Sequence, residues 1–121
     1  EAGVVDYGSG MSASWGDADR DGFMDLYVGN MFSSAGSRLA TQDRFLEQSP
    51  PEVKALYPRF SKGNSLFLSN RGHAFDDVSE LSGTAMGRWA WSSLFADVNN
   101  DGWEDIVVAN GYITTEDTGD L

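Results

Sequence analysis

Between Trp15 and Asn30 the chain reads WGDADRDGFMDLYVGN, which crowds carboxylates at Asp17, Asp19, Asp21 and Asp25. Carboxylates this close disfavour one another's ionised form, so they need a proton, a cation or open water. With Asp17 as position one, acidic side chains fall at positions one, three, five and nine, and Gly22 at position six. Alternate residues of a tight loop aim their side chains at a common centre, and glycine turns the backbone where a Cβ would clash. Phe23, at position seven, offers its backbone carbonyl. An all-oxygen set of this kind suits Ca²⁺, which takes about 6 to 8 ligands in irregular geometry, better than Mg²⁺, which demands octahedra and retains water. An EF-hand would need a glutamate at position twelve and flanking helices; that position is Val28, inside a strand-like run. The competing reading of a single such loop is a solvated acidic turn.

The spacing recurs 80 residues on, in FADVNNDGWEDIVVAN from Phe95 to Asn110. Asp17, Asp21, Gly22, Asp25, Val28 and Asn30 fall on Asp97, Asp101, Gly102, Asp105, Val108 and Asn110. Asn99 replaces Asp19 and keeps an oxygen ligand, while Ile106 replaces Leu26 and keeps an apolar one. The second donor set is therefore Asp97, Asn99, Asp101, the Trp103 carbonyl and Asp105, giving two calcium sites. Gly3 falls on Gly83 and Ser12 on Ser92, so the chain holds one whole unit and about half of the next. Repeat modules bury their apolar faces against neighbours, so neighbouring repeats or other chains are expected to complete the fold. A glycosidase-like carboxylate pair is disfavoured, because both copies would then be catalytic at equivalent places.

The elements that must hold these loops are short and β-prone. SASW and SSLFA precede the acidic segments, and LYV and IVV follow them, bounded by Gly and Asn. Asn64–Asn70 and Ala74–Ser79 read as two more strands joined by the turn signal Arg71-Gly72. Four strands per unit is the count of a propeller blade. Residues 31–63 form an insertion with a short helix at PPEVKALY, where prolines open the first turn and Val53, Leu56 and Tyr57 follow at helical spacing. Long insertions of this type sit on one face of a repeat fold and can carry recognition. Trp15 and Phe95 share a repeat position and are expected in the core. Trp89 and Trp91 are expected to pack in the core or between units, and His73 to be a solvated turn residue.

Composition narrows the partners. Nineteen acidic residues against eight basic ones give a net charge of -11, which argues against nucleic acid and anionic membrane surfaces. There is no cysteine, and the single histidine leaves zinc few ligands. No apolar run is long enough to insert in a membrane. No G-x-S-x-G is present and GSGMS lacks a supporting lysine, so no catalytic residue is assigned.

DADRDGFMDLYVGN and DVNNDGWEDIVVAN, with NSLFLSNRGHAFDDVSELSGT between them, resemble the FG-GAP or VCBS repeats of integrin-like β-propellers. MGRWAWSSLFADVNNDGWEDIVVANGY is similar to bacterial secreted proteins related to cartilage acidic protein. The family's GDGTF appears here as RGHAF, a departure in a turn without ligands. The resemblance implies an all-β excerpt of a larger propeller, with a first blade over 1–87, an insertion at 31–63 and half of the next blade over 88–121. It also implies an extracellular, cell-surface or periplasmic setting. The function expected is a non-catalytic, calcium-stabilised module for protein or glycan binding, adhesion or scaffolding. Alternatives are a subunit of an extracellular fibre or complex, or the propeller part of a secreted enzyme.

Overall fold

The computed structural model describes residues 2–32, 34–40, 42 and 44–110. Its elements run β1 (Gly10–Gly16), β2 (Asp25–Asn30), α1 (Ser34–Ala40), α2 (Pro51–Lys62), β3 (Ser65–Asn70), β4 (Ala74–Asp77), β5 (Ala90–Ala96) and β6 (Asp105–Asn110). β1 to β4 form one antiparallel sheet in sequence order, and β5 and β6 form a second, two-stranded one. The fold is that of an all-β repeat fragment, with its helices confined to the insertion.

The two acidic hairpins share one register. Trp15 pairs with Leu26 and Gly16 with Asp25, as Phe95 pairs with Ile106 and Ala96 with Asp105. Even the irregularity recurs, between Gly10 and Ser12 and between Ala90 and Ser92. The core lies on the central strands, where Leu26 and Tyr27 of β2 and Leu66 and Phe67 of β3 are buried. Burial of a side chain of that size contributes about 1.5–3 kcal/mol.

The sheets meet through small residues. Ser12 and Ser14 of β1 bond Ser93 Oγ of β5 at 3.0 and 3.3 Å. Gly16 makes room for a ring, since a Cβ there would lie 2.2 Å from Cγ of Phe95. Even-numbered residues of β1 thus face β5, and period-two alternation turns Trp15 the other way. Trp15 is accordingly 53% exposed and rests edge-on against Phe75 at 6.0 Å, rather than filling the core as its repeat position suggested. Trp91 is also exposed, while Trp89 is half-buried and bridges to Met31.

The helix expected at PPEVKALY continues through Pro58 to Lys62. Its last turn is held from outside: Arg59 Nη2 donates to Ser65 Oγ at 2.5 Å and to Ser79 Oγ at 3.2 Å. Ser61 Oγ donates back to the Tyr57 and Pro58 carbonyls at 3.2 and 3.3 Å. Those contacts offset the amide hydrogen bond that Pro58 cannot make. Gly63 ends the helix at φ 113°, a left-handed conformation suited to glycine. α1 had no forecast in the sequence reading. Arg71 and Gly72 both take positive φ, 52° and 76°, in the turn joining β3 to β4, and His73 there is exposed as expected.

Candidate metal centre

Each acidic loop folds around its own side chains. Asp17 accepts from the amides of Asp21 and Gly22 at 3.0 Å each, Asp19 from Asp21 at 3.1 Å, and Asp21 from Phe23 at 2.8 Å. In the second loop Asp97 accepts from Asp101 at 3.1 Å and Gly102 at 2.9 Å, Asn99 from Asp101 at 2.9 Å, and Asp101 from Trp103 at 2.8 Å. Asp25 accepts from Ala18 at 2.8 Å and Asp105 from Val98 at 3.2 Å. Arg20 and Asn100 share φ 60°, and Gly22 and Gly102 take 88° and 85°. Side-chain oxygens capturing nearby amides are a local device of Asp and Asn, so the same letters make the same loop twice.

The structure gathers carboxylate oxygens of Asp17, Asp19 and Asp21 within 4.8 Å of one another. The chemistry of that donor set fits a hard divalent cation: anionic oxygens only, with lone pairs to spare beside the amides they accept. Asp25 is not one of the three. It lies fully buried at the mouth of β2, and its second oxygen accepts from the Ser69 amide of β3 at 2.7 Å. Burial pushes its carboxyl above the usual range; the two amide bonds oppose that shift, and the charges of Asp19 and Asp21 add to it. In the second loop Asn99 Nδ2 donates to Asp101 Oδ2 at 2.9 Å, relieving repulsion that the first loop leaves in place.

The loops also touch. Glu104 Oε2 of the second loop accepts the Asp17 amide of the first at 2.8 Å. Arg20 of the first loop lays its guanidinium over the Trp103 ring of the second, 4.9 Å from its centroid. The sequence reading did not anticipate either contact.

Nor did it find a buried polar cluster at the far end of β2. Asn30 donates its amide to Asn64 Oδ1 at 2.8 Å and its Nδ2 to Asp6 Oδ1 and the Gly63 carbonyl at 3.0 and 2.9 Å. Asn64 Nδ2 donates to Tyr27 Oη at 2.6 Å, and Ser65 Oγ to Asp6 Oδ1 at 2.6 Å. The recurrence of Asn30 as Asn110 was a signal that could have revealed it. Beside it, Asp77 is raised by burial but more strongly lowered by hydrogen bonds from Ser79 and by Arg59, 3.5 Å away, so its carboxyl lies below the usual range. The cluster ties the insertion to the sheet.

Antiparallel hairpins repeated in register, each closed by an Asp/Asn-rich loop, define a β-repeat protein with acidic turn loops. A family model described as FG-GAP-like repeat matches residues 55–108, so that stretch carries an FG-GAP-like repeat. The match includes the second loop; the first lies outside it and is like the second in register and loop hydrogen bonding. No match was found among curated proteins or solved structures.

Proposed function

We propose that the chain is a non-catalytic, calcium-stabilised repeat module of an extracellular protein, used for binding or scaffolding. The observation that carries this is the correspondence of the two loops, amide for amide and oxygen for oxygen, on equivalent hairpins. A feature repeated once per unit suits architecture better than catalysis. Asp17, Asp19, Asp21, the Phe23 carbonyl and Asp25 would hold one ion, and Asp97, Asn99, Asp101, the Trp103 carbonyl and Asp105 another. Calcium supplies the positive charge that lets such carboxylates stay ionised side by side. The chain's own part is to preset the loop through amide bonds and to place position nine at the start of the outgoing strand.

FG-GAP-like repeats are typical of extracellular proteins. Extracellular modules bind calcium at about 10⁻⁴ to 10⁻³ M, matched to the calcium outside cells. The exposed side of β1, with Met11 and Trp15, and the edge of β6 with which no further strand among the described residues pairs suit neighbouring repeats or other chains. Where α2 of the insertion meets the segment before β1, a groove of about 250 Å³ lined by Tyr7, Leu56, Tyr57 and Phe60 offers an apolar surface for a protein or glycan partner.

Thermal unfolding in millimolar calcium against excess chelator tests the reading. Binding to the folded state alone adds about 1.4 kcal/mol per site at tenfold excess over the dissociation constant, so the midpoint rises by several degrees. An unchanged midpoint overturns it.

A further inference from the structure

We propose that the two loops exchange charge across the sheet contact, so that calcium fills the Asp17–Asp25 loop before the Asp97–Asp105 loop. The inference rests on the calcium reading above and concerns residues that the repeat does not share. Glu104 stands where the first unit has Met24, and Arg20 where the second has Asn100. Each reaches out of its own loop into the other: Glu104 Oε2 sits 2.8 Å from the Asp17 amide, and the Arg20 guanidinium sits 4.9 Å from the Trp103 ring centroid. A Cβ on Gly102 would lie 4.0 Å from Arg20 Nη1, which places that cation against the second loop's turn.

The consequence is electrostatic. The first loop, with three clustered carboxylates, gains a further negative charge beside Asp17. The second has Asn99 in place of an aspartate and carries a guanidinium beside Trp103, whose carbonyl is one of its donors. Like charge repels an incoming divalent cation and opposite charge attracts it, with energies set by distance and screening. Both changes act in one direction, toward tighter binding at the first loop.

The amides of Gly22 and Gly102 bond to Asp17 and Asp97, so their NMR resonances report the two loops separately. In a calcium titration of the full chain, Gly22 should reach its midpoint at lower calcium than Gly102. Glu104→Gln keeps the acceptor oxygen and removes only the charge; it should raise the Gly22 midpoint roughly threefold to tenfold, more than that of Gly102. Arg20→Gln should lower the Gly102 midpoint more than that of Gly22. A Gly102 midpoint at or below that of Gly22, or a Glu104→Gln effect as large at Gly102, overturns the charge exchange while leaving two calcium sites standing. Shifts at neither glycine in the unsubstituted chain overturn the calcium reading, and this inference with it.

Discussion

The hairpins of Gly10–Asn30 and Ala90–Asn110 have nearly the same loop and very different surroundings. In the first, β3 pairs with β2, and Asp25 is buried with both oxygens receiving amides, from Ala18 and Ser69. In the second, β6 has no further strand among the described residues, and Asp105 is half-buried with one amide, that of Val98, at 3.2 Å. The loop geometry survives the loss of the neighbouring strand. Its shape is therefore local, set by Asp and Asn side chains on their own backbone, whereas the burial of position nine is supplied by the sheet.

Truncating position nine should break the equivalence most strongly. Asp25→Ala leaves two amides without acceptors, one of them buried, and should cost about 2–4 kcal/mol in urea unfolding. Asp105→Ala removes one solvent-exposed bond from a half-buried residue and should cost about 0.5–1 kcal/mol. Equal costs would mean that β3 does not anchor the first loop.

The sheet contact offers a second comparison. A Cβ at Gly16 would run into Phe95, so Gly16→Ala should destabilise by about 1–3 kcal/mol through overpacking. At the equivalent Ala96, half-buried, exchange to glycine removes one methyl and adds backbone freedom, about 0.5–1 kcal/mol. If Gly16→Ala proves neutral by urea unfolding, the Phe95 ring does not seat on Gly16.

A smaller effect separates the buried Asp25 from the more exposed Asp77 by pH. Asp77 is lowered below its ordinary 3.8, so its stabilisation is fully present above that value and is lost as pH falls through the folded-state value. Asp25 is raised above 3.8, so the folded state takes up its proton more readily, and stability is lost as pH rises from 3.8 through its folded value. Asp77→Asn should therefore destabilise at neutral pH, with the difference shrinking as pH falls below 3.8. A difference that stays constant down to acid pH would contradict the role of Asp77.

The sequence made the acidic loops and their strands legible because these depend on neighbours in the chain: Asp and Asn capturing amides, Gly22 and Gly102 taking positive φ, and period-two strands on either side. Trp15 misled because its apolar character says nothing about which side of β1 it faces. The Ser12, Ser14 and Gly16 side packs on β5, and a tryptophan sharing a repeat position with Phe95 lands on the open side. The length of α2 was hidden for a similar reason. Pro58 looks like a stop until Arg59 is seen anchored to Ser65 and Ser79, residues well outside the helix. The loop-to-loop contacts of Arg20 with Trp103 and Glu104 with Asp17 were out of reach of repeat comparison, since each is made by a residue its counterpart lacks.

Calcium stoichiometry tests the central claim, that one cation-binding loop occurs twice, most directly. Isothermal titration of the full chain should give two ions per chain, falling to one in Asp21→Ala and to one in Asp101→Ala. Two full-strength sites retained in either variant, or no binding to the unsubstituted chain, would contradict it.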